Sequence, residues 1–579
     1  MNSAVDLRAR LAELLRAALE NSVPQAPFVE VVLERPKSAD HGDYACNVAM
    51  QLAKPLRRSP REIAAGIVNA LPDSSLVHKA EVAGAGFINL YLDPGARQQV
   101  VPAILDAGSA YGRLNTGKQQ KVQVEFVSAN PTGPLHVGHG RGAAYGASLA
   151  NVLDAAGFDV TREYYVNDAG RQMDILALST WLRYLEVAGQ KPVFPKNAYQ
   201  GDYVRAMAAS IYQQHGERYV HAVEQLYLGV PAADIDAEAH LDALISNAKN
   251  VLGPDYGYIH DFALTEQLGD CRNDLLEFGV EFDSWYSEKS LFDAGLVAAA
   301  MDQLDARGHL YQKDGATWFR STEFGDEKDR VVRRDNGQYT YFASDIAYHV
   351  NKFARGVERV IDVWGADHHG YIARVKGALV AMGCDAEKLT VALVQFAVLY
   401  RGGKKAAMST RSGEFVSLRE LRQEVGNDAA RFFYVLRKSD QHLDFDLDLA
   451  KSQSNENPVY YIQYANARCS SVFEKWGGDQ ASVSMADCSL LVEPGEVLCL
   501  QKLLEFPEII EAAARDLAPH LVAFYLRDLA AVFHSYYNST PILTDDESLR
   551  MARLALVASV QQVLRSGLAL LGVSAPDKM

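Results

Sequence analysis

The sequence predicts an α/β protein with a doubly wound parallel sheet at its centre, an α+β domain before it and an all-α helical bundle after it. Three observations carry this. Lys121–Phe126 alternates apolar and polar residues with β-branched positions and reads as a strand; Ser128–Pro134 holds two prolines and a glycine and must turn; from His136 a run of small residues suits a helix stopped at Gly157. DVTREYYVND (159–168) then reads as a second strand, completing the βαβ opening of a parallel sheet. Beyond residue 452 the pattern is helical: NENPVYYIQYANARCSSVFEKW is followed by amphipathic runs at 495–517, 519–537 and 546–571.

Length and composition bound the rest. A chain of 579 residues suits three or four domains, and no apolar run is long enough to span a bilayer. The start, MNSAVDLRARLAELLRAALE, lacks the basic-then-apolar order of a signal peptide and reads as an amphipathic helix, so a cytoplasmic location is expected. The six cysteines are scattered without metal or redox spacing and read as reduced, mostly buried thiols. A net charge of −16 argues mildly against nucleic acid, but the sum does not exclude a local basic path.

The 121–157 stretch also carries chemistry. The first turn of a helix leaves backbone N–H groups unpaired and bears a partial positive charge, which suits a polyanion such as a triphosphate. His136 and His139 share one face of that turn and can donate to phosphate oxygens, while Gly138, Gly140 and Gly142 leave room for a nucleotide against the backbone. Mid-helix glycines each cost about 1 kcal/mol relative to alanine, so three of them point to another purpose. Paired histidines also occur as packing or zinc features. Zinc, however, needs three or four ligands, and no CxxC or HExxH accompanies these two.

Taken whole, ANPTGPLHVGHGRG (129–142) resembles the HIGH signature of class I aminoacyl-tRNA synthetases, and VEFVSANPTGP resembles the arginyl-tRNA synthetase branch. The resemblance implies a Rossmann-type catalytic domain over 116–450 with a helical insertion at about 170–300. It makes 1–115 an additional tRNA-binding domain and 451–579 a helical anticodon-binding domain. It implies ATP with Mg²⁺ as substrate complex, without a dedicated protein metal site, and L-arginine and tRNA(Arg) as partners. No membrane partner is expected from the hydropathy, and a chain carrying its own RNA-binding domains can act alone, so a monomer is expected. Arginine would be bound by Glu125, Ser128, Asn130, His139, Tyr341 and Asp345, the two acids giving a guanidinium the planar acceptors it needs. ATP would lie against Pro131, Thr132, Gly133, Leu135, His136, Gly138, His139, Asp367, His368 and Met408. His368 and His369 have no third metal ligand nearby, which favours a nucleotide-side role for the first.

LYRGGKKAAMSTRSGEFVSL (399–418) resembles the KMSKS loop, made mobile by its glycines, but Ala407 stands where the motif has its first lysine. His136, His139, Lys404, Lys405, Ser409 and Arg411 are then the catalytic candidates, with Lys404 or Lys405 and Arg411 supplying the missing positive charge. Arg57 and Arg58, with Arg61 beside them, are candidates for phosphate contacts with tRNA. Tyr460, Tyr464 and Arg468 share one helical face and are candidates for base stacking. Three smaller expectations complete the reading: a strand at Phe28–Leu33, a strand pair or a bent strand at EVAGAGFINLYL (81–92) with a bulge at its GAG, and an extended acidic linker closing 424–450. Two rivals stand beside it, a class I synthetase for another amino acid and a non-catalytic tRNA-binding descendant.

Overall fold

The structure is a computed structural model and describes residues 7–36, 38–406 and 416–579. The chain packs as two units, residues 117–452 with 517–519 and residues 1–116 with 453–516 and 520–579.

The first of these is built on five parallel strands, β1 (Lys121–Glu125), β2 (Asp159–Val166), β3 (Ser284–Ser287), β4 (Arg359–Gly365) and β5 (Leu389–Val394). Their order across the sheet is β5-β4-β1-β2-β3. The winding therefore reverses between β1 and β4, and ligands of such sheets bind beyond the carboxyl ends of the strands at that reversal. In β1, Val122, Gln123, Val124 and Glu125 are all buried, as a central strand covered on both faces must be. The apolar–polar alternation that predicts this strand thus marks no solvent face. Helices α1 (Val137–Ala155), α2 (Tyr341–Ala354) and α3 (Ile372–Ala381) flank the sheet in sequence.

Two sequence expectations need correction here. The stretch 170–300 is helical through Glu277, with a core around Trp181, Tyr184, Tyr219 and Ile259, but Ser284–Ser287 inside it is an edge strand of the main sheet. Four residues are too few to carry a periodic signal. The acidic stretch after 436 is no linker: Leu443–Asp446 pairs in parallel with Ala397–Arg401, burying Leu443 and Phe445 while Asp444 is exposed.

In the second unit, a four-stranded antiparallel sheet runs in the order Leu33–Glu34, Tyr44–Cys46, Phe87–Leu92, Val77–Ala83. Phe28 is 93% exposed and, of the expected strand Phe28–Leu33, only Leu33 pairs, together with Glu34 beyond it, so that strand is almost absent. Gly84 and Gly86, both with positive φ, form the hairpin turn between the longer two strands rather than a bulge. Four long helices follow at Pro458–Trp476, Pro494–Arg515, His520–Ser539 and Glu547–Leu570, close to the periodic runs. The sheet and the helices are tied by Arg35 and Tyr44, which both donate to Glu508, the arginine through two nitrogens at 2.8 and 3.0 Å.

Candidate active site

The chain leaves β1 through an unusual turn. Val127 and Ser128 have φ of 68° and 41°, left-handed values that are rare for side-chain-bearing residues and rarer for a β-branched one. Neighbours hold it there. Phe126 is fully buried against Phe282, ring centroids 4.4 Å apart, and Ser128 Oγ donates to Glu125 Oε1 at 2.9 Å while accepting from the Tyr165 N–H at 3.1 Å. Beyond the turn lies a cavity of about 500 Å³. Glu125, Ser128 and Asn130 come to it from β1 and its turn, and His136, Gly138, His139 and Gly142 from the start of α1. Asp345 and His349 enter from α2, and Trp364, Asp367, His368 and Tyr371 from β4 and its exit.

The two imidazoles stack with centroids 3.6 Å apart. His136 caps α1: its Nδ1 accepts from the Gly138 N–H at 3.0 Å, and His139 Nδ1 accepts from the His136 N–H at 3.3 Å. With Nδ1 accepting in both rings, the proton of each neutral ring sits on Nε2. Burial lowers the basicity of both, that of His139 to about 3 with His136 adding to the effect. Both rings are therefore held toward the neutral form, with Nε2 as the N–H of each. The expectation of free backbone donors fails, because Val137 N–H is taken by Val416 O, Gly138 N–H by His136 Nδ1 and His139 N–H by His136 O. Any grip on phosphate from this turn falls to the rings.

The glycines divide their tasks. A Cβ on Gly138 would stand 2.8 Å from the His136 ring, and one on Gly140 would stand 2.8 Å from both Leu418 and Tyr434. Those two glycines make room for protein. Only Gly142 faces open space, on the cavity wall.

Of the two acids, Glu125 is buried and its Oε2 receives Lys352 Nζ at 2.5 Å; Asp345 receives the Tyr371 hydroxyl. Burial pushes both carboxyls above the ordinary range. Lys352 itself has no exposure and also reaches Asp362 Oδ1 at 2.7 Å, while His349 Nε2 lies 2.9 Å from Asp362 Oδ2.

Other candidate residues lie elsewhere. Tyr341 is half exposed at the start of α2 and off the cavity wall, as are Pro131, Thr132, Gly133 and Leu135. The backbone there is used internally: Thr132 O accepts from Tyr203 and Leu135 O from the Leu418 N–H. Lys404 and Lys405 form one side of a tight hairpin whose two-residue turn, Gly402-Gly403, has φ of 57° and 70°. That double left-handed geometry is what a two-residue hairpin needs, so these glycines shape a turn; Ser412 and Gly413 of the same stretch lie outside the described residues. Ala407, Met408, Ser409 and Arg411 lie outside the described residues. In the other unit, Arg57 and Arg58 are exposed; the Tyr460 and Tyr464 rings stack at 6.1 Å, and the Arg468 guanidinium sits 4.6 Å from the Tyr464 ring centre.

Sequence reasoning missed the residues behind the wall. Asp345, His349 and Lys352 stand at i, i+4 and i+7 on one face of α2, a spacing legible in advance. Glu288, buried and accepting from Ser344 Oγ at 2.7 Å, has its carboxyl pushed up to about 7, mainly by burial. Arg141, 1% exposed, donates to the carbonyls of Gln395, Lys438 and Gln441 at 2.8–3.0 Å and clamps α1 to those loops.

Three family models match the chain. The arginyl tRNA synthetase N terminal domain covers residues 9–92, the catalytic domain of the class I (R) tRNA synthetases covers 100–196 and 270–444, and the DALR anticodon binding domain covers 462–579. An arginine–tRNA ligase of Nitrosospira multiformis is 64% identical over 574 residues, 99% of each chain, and one of Dechloromonas aromatica is 63% identical over the full length of both. The chain belongs to the arginyl-tRNA synthetase family. The arginyl-tRNA synthetase of Thermus thermophilus agrees in fold, with a TM-score of 0.74 at 26% identity over 99% of this chain and all of that one. The first strand–turn–helix of the sheet lies within the matched catalytic domain and contributes Glu125 and both imidazoles to one cavity.

Proposed function

We propose that the chain is an arginine–tRNA ligase: it activates L-arginine with ATP to arginyl-adenylate and transfers the arginyl group to tRNA(Arg), releasing AMP and diphosphate. One observation carries the reading. A pair of neutral imidazole donors and a pair of carboxylates share a cavity at the winding reversal of a parallel sheet, in a chain whose relatives are named arginine–tRNA ligase.

On this reading the arginine carboxylate attacks the α-phosphorus, diphosphate leaves, and the terminal ribose hydroxyl of tRNA then takes the aminoacyl group. No protein nucleophile is needed, so catalysis is positioning and charge stabilisation. Asp345 and Glu125 face the substrate's cationic groups, with Ser128 and Asn130 beside them; His136 and His139 donate Nε2–H to the phosphates; Asp367 and His368 flank the nucleoside. Mg²⁺ enters as part of the ATP substrate. Residues 1–115 and 451–579 serve as tRNA-binding domains, through Arg57 and Arg58 in one and the Tyr460, Tyr464, Arg468 ladder in the other. A monomer acting in the cytoplasm completes the proposal.

Aminoacylation of total tRNA, run with each of the twenty amino acids, should give charging with arginine alone. Charging with another residue, or tight tRNA binding with no diphosphate release, would defeat the reading. The basic hairpin supplies a finer test. With Ala407 in place of the motif lysine, Lys404 and Lys405 are the nearest described cations, so replacing both by alanine should slow adenylate formation more than it raises the KM for ATP. An unchanged rate of diphosphate exchange would remove them from the mechanism.

A further inference from the structure

The two cavity acids are not equivalent. Glu125 Oε2 is held by Lys352 Nζ at 2.5 Å and its Oε1 accepts from Ser128 Oγ at 2.9 Å, so both oxygens are fixed in place. Asp345 receives the Tyr371 hydroxyl and makes no ion pair among the described residues. Behind Glu125 the charges close on themselves. Lys352 bridges to Asp362 at 2.7 Å, Asp362 faces His349 at 2.9 Å, and His349 Nδ1 lies 2.7 Å from the Asp345 carbonyl oxygen. Lys352 and Asp362 have no solvent exposure. Although burial alone would raise the Asp362 carboxyl, Lys352 and His349 hold it below the ordinary range, so it is an anion and the ammonium beside it a cation.

A buried ion pair rarely adds stability over apolar residues of similar volume, which makes its presence behind a binding wall a matter for function. The site also has a charge problem. Glu125, Asp345 and Asp362 lie within one network, whereas the amino acid read for this cavity has one net positive charge. Uncompensated, so many buried acids would take up protons rather than stay charged, and a protonated acid is a donor where a cationic ligand needs an acceptor.

We propose that Lys352 is a positioning and specificity-determining residue of the amino-acid pocket: it pairs with and orients Glu125, so that Glu125 sets the geometry of the ligand while Asp345, the acid with no ion pair among the described residues, meets and selects a guanidinium. This rests on the cavity being the arginine site, as proposed above. It differs from the sequence reading, in which both acids select the guanidinium alike.

The test is the full-length enzyme carrying Lys352→Met, and separately Lys352→Met with Asp362→Asn. The double variant removes one cation and one anion together, so the net charge of the network is unchanged while Glu125 loses its ammonium partner. Steady-state aminoacylation with total tRNA, and binding competition between arginine and its uncharged ureido analogue, would be measured beside a thermal melt. Loss of one charge-assisted bond predicts that the KM for arginine rises about tenfold or more in both variants, with the KM for ATP within about twofold. The preference for arginine over the ureido analogue narrows in parallel. A folded double variant with an unchanged arginine KM overturns the proposal; so does a double variant that fails to fold, which would assign Lys352 to the fold alone. Glu125→Gln and Asp345→Asn in the same assay keep the two readings apart. If neither moves the arginine KM, the cavity is not the arginine site; if they do and the lysine variants do not, the pocket stands and the role of Lys352 falls.

Discussion

Asp345→Asn is expected to lower kcat/KM for arginine by roughly two to three powers of ten, mostly through KM, while leaving the melting temperature and the KM for ATP nearly unchanged. The substitution keeps shape and one acceptor oxygen for Tyr371 but removes the cavity carboxylate that has no ion pair of its own. A guanidinium brought out of water beside an amide loses its counter-charge, and breaking a desolvated pair from one side costs about 3–5 kcal/mol. The pH dependence follows from the same burial. Burial raises the Asp345 carboxyl above its ordinary value, and the ionised form is the one that binds. Hence kcat/KM for arginine should fall as pH drops through that raised value, and in Asp345→Asn this acid limb should disappear. A variant that kept wild-type kcat/KM, or kept the acid limb, would place the ligand's charge elsewhere.

The strand–turn–helix of 121–157 was legible because its signals are local: a β-branched alternation, two prolines with a glycine, then small residues to a stopping glycine. The helical bundle was legible for the same reason, long amphipathic periods. What stayed hidden depends on contacts between distant segments. Ser284–Ser287 is a strand only because β2 lies beside it, and Leu443–Asp446 only because Ala397–Arg401 does. The GAG of 84–86 and the Gly402-Gly403 pair declare a turn but not what it joins, so one reads as a bulge and the other as a mobile loop until the partner strands are seen. The site divides likewise. His136, His139, Glu125 and Asp345 sit in short motifs, whereas Lys352, Asp362 and Arg141 act through partners that sequence spacing alone does not identify. The glycines of α1 show the limit from the other side. Three that looked alike in sequence prove to face the His136 ring, a Leu418–Tyr434 wall and the open cavity.

Replacing His136 or His139 by alanine should cut the rate of arginine-dependent diphosphate exchange, measured with tRNA present, by about 10²–10³-fold each, as loss of one preorganised donor does elsewhere. The structure adds what kind of donor these are. Both Nδ1 atoms accept backbone N–H groups, which leaves the proton of each neutral ring on Nε2, and burial keeps His139 down to about 3. Neither ring should then contribute a titration to the exchange rate near neutral pH, whereas an imidazolium mechanism requires the rate to fall as pH rises through 6.5, the ordinary histidine value. Glutamine can present an amide N–H at a position like that of Nε2, so the glutamine variants should recover part of the loss. His136→Ala carries a second cost: it removes the α1 cap, worth about 1 kcal/mol, and that effect should appear in the melt. Stability and pH are linked with a definite sign. A histidine held to about 3 in the folded chain, against 6.5 when unfolded, is protonated preferentially by unfolding, so its contribution is intact above 6.5 and is lost as pH falls toward 3. His139→Gln should therefore flatten the acid side of the stability profile. An exchange rate that declines between pH 6 and 8 with ring protonation, or a glutamine variant no better than alanine, would show that the rings act by charge and not by a neutral N–H aimed at the phosphates.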